Sequence, residues 1–438
     1  MNVHPRSLSL ILLASVAATA YAQAATPLPT DKDVSDSYIY LLSRLLVLNQ
    51  EQADFANGFQ WNQLVHRKVG EVDWPNPNLD VAYSEAWVAI DEKSCALVTV
   101  PKVKGRYYTV QFLNGWGETL ANINERVYPQ HPDGEFAVCL DGAQVQLPAA
   151  TQRVDVSAKA LRVLSRVELG ANPDEAVALQ KKFNIRASGH PALPEVPKTV
   201  RFDIEKLPGV EAFESATAAL DSAADTNPGM NKLQASTRAV AKAIEDPAAR
   251  QHVAQVIQQQ AIPAIYKASP TLGDGTVKDG WALPTTIGVY GNNWLLRTLV
   301  NLGGIWANSY EEVIYYKAFV GPSGKPLNGD HSYALRFEKD QMPTLFATYF
   351  WSVIAVDSVH RRVLPNPQKR YLLSNFSPLK FDKDGSLTLY FGATPNGAPE
   401  SNWIPTPKGT GYSLTFRFYR PKGAVADRSY FPPALKER

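Results

Sequence analysis

The chain has 438 residues, of which 44 are lysine or arginine and 42 are aspartate or glutamate, giving a formal net charge of +2. Because the two signs are interspersed along the chain, there is no basic stripe for nucleic acid and no polybasic patch for a membrane surface. The length exceeds what a single hydrophobic core usually serves, so two or three domains are expected.

The first residues have the three-part pattern of a secretory signal peptide. Arg6 precedes an apolar run over residues 8–20, and small residues at Ala20, Ala22 and Ala24 offer cleavage sites. A membrane anchor is the competing interpretation, but the run falls short of the roughly 20 apolar residues that span a bilayer. We therefore expect a signal peptide over residues 1–24, a periplasmic or secreted location, and no membrane span after cleavage.

Cys95 and Cys139 are the two cysteines of the chain, and each lies in a short apolar run. In an oxidising compartment they can form a disulfide between adjacent strands. Alternatively, each is a small buried hydrophobic residue on its own strand. The sequence leaves both alternatives open.

The first half of the chain changes from helical to strand texture. Residues 35–52 place Ile39, Leu42 and Leu46 on one face at helical spacing, which predicts an amphipathic helix. Residues 81–140 instead contain short apolar runs separated by Gly, Pro, Asn and Asp, which is typical of an antiparallel sandwich. A strand at 162–168 and a helix at 173–183 are expected to follow.

The second half begins with an Ala-, Gln-, Glu- and Lys-rich segment at 208–267, where Val240 and Ile244 recur at helical spacing. We predict a small helical insertion; a flexible linker at 215–225 is the alternative, which the helix-forming composition disfavours. Beyond residue 332, strand texture returns. Phe416 alternates with Arg417, so the polar side of that strand carries arginine and tyrosine, and the Asp384-Gly385 pair predicts a hairpin turn. A second all-β domain is expected.

Several motifs resemble those of one protein family: NPNLDVAYS at 76–84, GRYY at 105–108, GVYGNNWLLR at 288–297 and NWIP at 402–405. The chain resembles bacterial exported proteins that pair domain of unknown function 1254 with domain of unknown function 1214. The resemblance implies a mainly β fold with a helical insertion: an N-terminal immunoglobulin-like sandwich, a helical middle and a C-terminal jelly-roll sandwich. We expect domain boundaries at 25–205, 206–275 and 276–438.

Asp80 lies just ahead of a predicted strand, beside Asn78 and Tyr83, where loops on a rigid scaffold often carry function. The alternative is turn chemistry, because Asn and Asp side chains bond their own backbone. Trp116 lies between two glycines, which favours a loop that a ligand can approach closely. Glu118 would then join Asp80 as the carboxylate pair that glycoside hydrolysis requires.

Arg106, Arg297 and Arg370 each stand beside a tyrosine or a tryptophan. This arrangement is suited to holding a carboxylate. The alternative is that each ties sheet layers together through backbone carbonyls. Most tryptophans are expected in the core. The family resemblance adds His66, which lies shortly before the first motif, to the predicted ligand-binding residues. The predicted ligand-binding residues are Asn78, Tyr83, Arg106, Trp116, His66, Tyr290, Arg297, Trp351, Arg370 and Trp403.

These observations predict an exported two-domain protein whose interdomain cleft binds a small-molecule or saccharide ligand, such as an envelope fragment. A glycosidase-like hydrolysis with Asp80 and Glu118 as acid and base is the catalytic hypothesis. The alternative is a non-catalytic envelope protein that binds or has a structural role. The histidines show no paired ligand spacing, so no metal and no cofactor is predicted. No nucleic-acid partner is expected, and the oligomeric state stays open.

Overall fold

The computed structural model describes residues 1, 28–71 and 74–438. Apart from Met1, the predicted signal peptide lies outside the described residues. In the described part of the chain, four β-sheets and a layer of helices confirm the prediction of a mainly β fold with a helical middle. None of the described helices combines the length and apolarity needed to cross a membrane.

The chain opens with helix α1 (Asp31–Ala56), which extends the predicted 35–52 helix at both ends. Thr30 caps it, because its Oγ1 accepts a hydrogen bond from the Asp33 backbone N–H at 3.1 Å. Most of its circumference is buried, since one side faces the N-terminal sheet and the other packs on later helices. The helix therefore lies at the centre of the molecule.

The N-terminal sandwich packs a five-stranded sheet, in the order β1-β2-β8-β4-β5, against a four-stranded sheet, in the order β7-β6-β3-β9. The pairs are antiparallel except β6 with β7. Val88 and Phe112 of the first sheet meet Phe136 of the second in the core. The strands are β1 (Val65–His66), β2 (Val81–Ala89), β3 (Ala96–Val100), β4 (Tyr108–Leu113), β5 (Thr119–Ile123), β6 (Gly134–Leu140), β7 (Gln152–Val156), β8 (Ala160–Glu168) and β9 (Asn184–Ala187), with α2 (Pro173–Gln180) before β9.

A disulfide joins Cys95 and Cys139. The register of β3 and β6 pairs Ala96 with Val138, so the two cysteines lie opposite each other, with their Cα atoms 4.4 Å apart. Of the two alternatives that the sequence left open, the structure contains the bridge.

The predicted helical insertion is confirmed. Its helices enclose α1 in a core that includes Leu45, Val240 and Ile265. A π-helical turn over Ile257–Ala261 connects two of them. The helices are α3 (Glu211–Glu214), α4 (Ala216–Asp221), α5 (Met230–Ala243), α6 (Pro247–Val256), α7 (Ile262–Ala268) and, further along the chain, α8 (Trp294–Gly303).

The C-terminal sandwich packs a six-stranded antiparallel sheet, in the order β10-β11-β12-β18-β14-β15, on a four-stranded sheet, in the order β17-β16-β13-β19. Trp281 and Phe416 from the first sheet meet Leu389 from the second. The strands are β10 (Thr276–Lys278), β11 (Trp281–Leu283), β12 (Val313–Ala318), β13 (Tyr333–Phe337), β14 (Trp351–Asp357), β15 (Leu372–Ser374), β16 (Leu387–Gly392), β17 (Trp403–Pro405), β18 (Tyr412–Tyr419) and β19 (Lys436–Glu437).

The prediction of a hairpin at Asp384-Gly385 is wrong, because the turn does not connect two paired strands. Gly385 does adopt a left-handed turn at φ 82°, but β16, which follows it, pairs with β13 and β17. The preceding segment is held instead by Arg336, which donates to the carboxylates of Asp382 and Asp384 at 3.0 and 2.7 Å. The turn chemistry was therefore visible in the sequence, but the pairing partner was not.

The alternation predicted for β18 is confirmed. Phe416 and Phe418 point into the core between the C-terminal sheets, whereas Arg417 and Tyr419 point to the opposite face. That face meets the five-stranded N-terminal sheet through an aromatic cluster that includes Trp306. The junction between the two sandwiches is thus built from large rings, and it leaves space for a cavity.

Candidate functional site

A cavity of about 230 Å³ lies where the two sandwiches meet the helical layer. The N-terminal side contributes the loop before β2 and parts of β2 and β8. The C-terminal side contributes β12, β18 and the turn after β14, and the segment after α8 closes one wall. The two sandwiches therefore face a common space, with the predicted site residues Asn78 and Tyr83 on one side and Arg417 on the other.

The lining carries an excess of positive charge. Among the described residues it includes four cations, Arg166, Lys317, Arg361 and Arg417, and one acid, Asp357. The Asp357 carboxylate already accepts hydrogen bonds from two backbone N–H groups of the following turn, at 2.8 and 2.7 Å. Fixed like charges along low-dielectric walls concentrate the field in a cleft, so the electrostatic potential in this cavity is positive.

Arg417 is the most deeply buried of the four cations that line the cavity, with 2% of its surface exposed. Its Nη2 donates to the backbone oxygens of Asn76 and Pro77 at 3.2 and 3.3 Å. Its Nη1 has no hydrogen-bond partner among the described residues. A buried guanidinium with an unpartnered nitrogen can donate a charge-assisted hydrogen bond to a carboxylate.

Lys317 lies on the same sheet, two positions after Tyr315 on β12. Its Nζ approaches the Gly303 carbonyl oxygen at 3.4 Å. Burial, followed by the nearby charges of Arg417 and Arg361, lowers the pKa of its amine to about 7. A substantial fraction of this lysine is therefore uncharged at neutral pH.

Neutral polar groups complete the wall. The Asn78 side-chain amide donates to the Tyr419 hydroxyl, and its oxygen accepts from the Asp80 backbone N–H at 2.8 Å. Burial raises the pKa of Tyr419 well above its ordinary value, so the phenol stays protonated. The Arg166 guanidinium lies 5.5 Å from the centre of the Tyr83 ring.

The backbone around the cavity adopts unusual conformations. Asn76, Ile305, Trp306 and Arg361 all line the cavity with positive φ angles, of 51°, 23°, 55° and 55°. For a β-branched residue such as Ile305 this region is a steric outlier, and strained positions concentrate at functional sites. Arg166 holds the strained segment by donating to the Trp306 carbonyl at 3.0 Å.

Asp80 lies beside the cavity and joins the two sandwiches. Its Oδ2 accepts a hydrogen bond from the Ser352 hydroxyl of β14 at 2.5 Å. Burial raises the pKa of its carboxyl to about 6, although the Ser352 hydrogen bond and the Arg417 charge oppose the rise. Asp80 is thus a buried interdomain contact whose ionisation the positive cavity helps to stabilise.

The structure places Glu118 in a different network, so the predicted carboxylate pair with Asp80 has no contact to support it. Both Glu118 oxygens accept from the Asn227 amide at 2.9 and 2.8 Å, and one lies 3.6 Å from Arg297. Neither partner touches Asp80 in the described structure. Acid–base catalysis by this pair stays a prediction.

Glu118 belongs to a buried cluster around Arg297, between the N-terminal sandwich and the helical layer. Arg297 forms an ion pair with Asp225 at 2.7 Å and lies 4.5 Å from the centre of the Trp116 ring. The Tyr290 backbone N–H approaches Glu118 at 3.4 Å. The predicted ligand residues Trp116, Tyr290 and Arg297 therefore lie together, but none of them lines the interdomain cavity.

The two remaining predicted arginines contact backbone carbonyls. Arg106 donates to the carbonyls of Glu168 and Leu169, both at 2.7 Å, and Arg370 donates to the Glu400 carbonyl. These contacts tie strands and loops together, which is the alternative that the sequence left open. Neither arginine lines the cavity.

The other predicted rings are packed into the domains. Trp351 stacks on Phe416 in the C-terminal core, with ring centres 5.5 Å apart, and the Trp403 indole N–H donates to the Gly392 carbonyl at 2.8 Å. His66 shares a hydrogen bond of 2.7 Å with the Ser84 hydroxyl, and burial lowers the pKa of its imidazole. None of the three lines the cavity.

Several cavity residues were absent from the predicted site, namely Arg166, Lys317, Arg361, Arg417 and Tyr419. A signal existed for two of them, because the alternation of β18 placed Arg417 and Tyr419 on its polar side. Lys317 has a similar signal, since Ile314 and Tyr316 alternate with it along β12. Arg361 lies in a turn and carries no periodic signal.

Two regions of the chain match described families. Residues 61–187 match "Protein of unknown function (DUF1254)", and residues 312–423 match "Protein of unknown function (DUF1214)". This chain pairs DUF1254 with DUF1214, in that order. The pairing and the order of the two domains that the motifs predicted are therefore confirmed. In this DUF1254–DUF1214 protein, both matched regions line the cavity. The first contributes Asn78 and Arg166, and the second contributes Lys317, Arg361 and Arg417.

Two solved structures are similar to most of the chain. The VPA0106 protein from Vibrio parahaemolyticus is 20% identical, with a TM-score of 0.61, over 93% of this chain and 99% of that chain. A putative uncharacterized protein from Burkholderia cenocepacia is 14% identical, with a TM-score of 0.45, over 92% of this chain and 86% of that chain. The first likeness shows a shared fold. A comparison with curated proteins gave no match.

Proposed function

We propose that this DUF1254–DUF1214 protein binds a small organic anion in the cavity between its two sandwiches. The observation that carries the proposal is the buried Arg417 on the cavity wall, whose Nη1 has no partner among the described residues. A buried unsatisfied charged donor is costly, so a ligand that supplies a carboxylate there gains a strong hydrogen bond.

The rest of the lining supports an anion with an apolar body. Lys317 and Arg361 add positive charge near Arg417, while Trp74, Leu299 and other apolar side chains supply hydrophobic surface. Such a mixture of apolar walls with a few convergent polar groups is typical of small-molecule sites.

The size of the cavity limits the ligand. Because a cavity of about 150 Å³ accommodates benzene, the 230 Å³ found here holds a single ring or a short carbon chain. The predicted saccharide ligand is compatible with this space only as a single sugar unit, and the positive charge favours an acidic sugar over a neutral one. Hydrolysis of such a ligand stays a hypothesis.

Export completes the proposal. The signal-peptide pattern supports it, and so does the Cys95–Cys139 disulfide, because such bridges persist mainly in oxidising compartments. In that setting the protein binds small acids outside the cytoplasm. A non-catalytic binding role is the simplest form of this function, because it requires no acid–base pair.

The test is a thermal-shift screen of the mature protein against aliphatic, aromatic and sugar carboxylates, each paired with its neutral amide or parent sugar. A ligand at about one hundred times its dissociation constant adds roughly 2.7 kcal/mol to the stability of the folded state. We expect carboxylates to raise the melting temperature and their neutral counterparts to leave it unchanged. Equal shifts for both members of each pair would contradict an anion site.

Variants then locate the site. Arg417→Gln removes the charged donor and should weaken carboxylate binding by about tenfold to one-hundredfold, because a hydrogen bond to a charged group contributes about 1.5–3 kcal/mol. The matched control is Arg336→Gln, which removes an arginine from the far side of the C-terminal sandwich and should leave binding unchanged. Lys317→Met is a second cavity variant, useful if Arg417→Gln folds poorly. Unchanged affinity in both cavity variants would place the site elsewhere.

A further inference from the structure

Lys317 is a largely buried lysine on the wall of the interdomain cavity. Its Nζ has the Gly303 carbonyl as a partner at 3.4 Å, and the charges acting on it are those of Arg417 and Arg361. No aspartate or glutamate among the described residues forms an ion pair with it. Buried lysines are normally paired or neutral, and an unpaired one on a cavity wall is a candidate for chemistry.

We propose that Lys317 forms an imine with the carbonyl carbon of a small oxo acid whose carboxylate is held by Arg417. This inference rests on the proposed anion site and names the class of ligand. In the register of β12 and β18, Lys317 stands opposite Thr415, and Arg417 stands opposite Tyr315. Lys317 and Arg417 are therefore diagonal neighbours on one face, with backbones about 7–8 Å apart.

That spacing suits an acid that carries a carbonyl next to its carboxylate. The long side chains of Lys317 and Arg417 can converge on one small molecule between them, so that the guanidinium holds the carboxylate while the amine meets the neighbouring carbonyl carbon. A ligand with the two groups at opposite ends of a long chain does not fit a space of 230 Å³ in this way.

The step is balanced without any further reactant. The lone pair of Lys317 Nζ attacks the carbonyl carbon and gives a carbinolamine. The carbinolamine then loses its oxygen as water, which takes away both protons of the amine and leaves a carbon–nitrogen double bond. The overall change is one carbonyl and one primary amine to one imine and one water.

The surroundings favour this reaction. The nucleophile must be the uncharged amine, and burial together with Arg417 and Arg361 lowers the pKa of Lys317 to about 7. Tyr315, on the same face of β12, lines the cavity beside it. Because burial raises the pKa of Tyr315, its phenol stays protonated and can donate a hydrogen bond to the departing oxygen.

The experiment is reductive trapping with the full mature protein. The protein is incubated with pyruvate and cyanoborohydride, and with lactate, which lacks the carbonyl, as the matched ligand. Trapping increases the protein mass by that of the acid less one oxygen atom. We expect one adduct with pyruvate, none with lactate, and peptide mapping to place it on Lys317. Lys317→Met should lose the adduct, whereas Lys383→Met, at an exposed lysine of the C-terminal sandwich, should retain it.

Titration calorimetry with pyruvate and lactate separates the two proposals. Binding of both acids without a trapped adduct would overturn the imine and leave the anion site standing. An adduct spread over surface lysines, unchanged in Lys317→Met, would overturn the imine as well. If neither acid binds, both the imine and the proposed site for small carboxylates fail. Mapping on the unaltered protein keeps the test valid even if Lys317→Met folds poorly.

Discussion

Asp80→Asn should change how stability depends on pH. In the folded protein the carboxyl is buried, and its pKa is raised from 3.8 to about 6. Between those values the folded state binds a proton that the unfolded state has released, so stability falls as pH rises through this window. A rise of the pKa from 3.8 to about 6 corresponds to a total loss of stability of about 3 kcal/mol over the whole titration.

Asparagine cannot ionise, so the stability of the variant does not fall in this way as the pH rises. The free energy of unfolding of Asp80→Asn, minus that of the unaltered protein, should therefore increase by about 2 kcal/mol from pH 4 to pH 7, because part of the full change has already occurred at pH 4, where the unfolded-state carboxyl is partly ionised. Arg417 and Glu168 interact with Asp80, and the ionisation of Asp80 contributes to the raised pKa of Glu168. The measured change thus includes a small coupled contribution from Glu168.

The assay is denaturant unfolding at several pH values, followed by tryptophan fluorescence. The control is Asp384→Asn, because Asp384 is exposed and its pKa is lowered to about 2 by Ser386 and Arg336. Stability from that group is present above pH 4 and is lost as pH falls through 2, so the control difference should be flat from pH 5 to 7. A flat difference for Asp80→Asn over the same range would refute the buried, shifted carboxyl.

Three further predictions concern separate parts of the structure. Binding of lactate should take up protons above pH 7, because an anion beside Lys317 raises the pKa of its amine. Calorimetry in two buffers of different ionisation enthalpy measures this proton uptake, and Lys317→Met should abolish it. Replacing Cys95 and Cys139 by serine should cost about 4 kcal/mol, from the closed loop of the disulfide, in denaturant unfolding without reductant. Arg297→Met should cost about 3–5 kcal/mol by leaving Asp225 buried without its partner, and adding Asp225→Asn should restore part of that loss.

Periodicity predicted the elements well where one face of an element is buried. The helical spacing of Ile39 and Leu42 identified α1, and the alternation around Phe416 identified β18, because both patterns follow directly from backbone geometry. The hairpin at Gly385 failed for a different reason. A turn residue fixes local φ, whereas the strand that pairs with β16 is chosen by contacts far away in the chain.

The site was harder to predict because its chemistry depends on pairing across elements. An arginine beside an aromatic residue has the same appearance in sequence whether it faces a ligand or a carbonyl, and Arg106 and Arg370 face carbonyls. The environment of Lys317 arises from its register with Thr415 and from Arg361 in a distant turn. No local pattern records either relation.

We have proposed that the interdomain cavity binds an organic anion at Arg417. The most direct measurement is a crystal structure of the mature protein grown with the carboxylate that binds most tightly in the thermal-shift screen. We predict ligand density between the two sandwiches, with the carboxylate oxygens within hydrogen-bond distance of Arg417 Nη1. Density for that ligand at another place, with the cavity unchanged, would contradict the account.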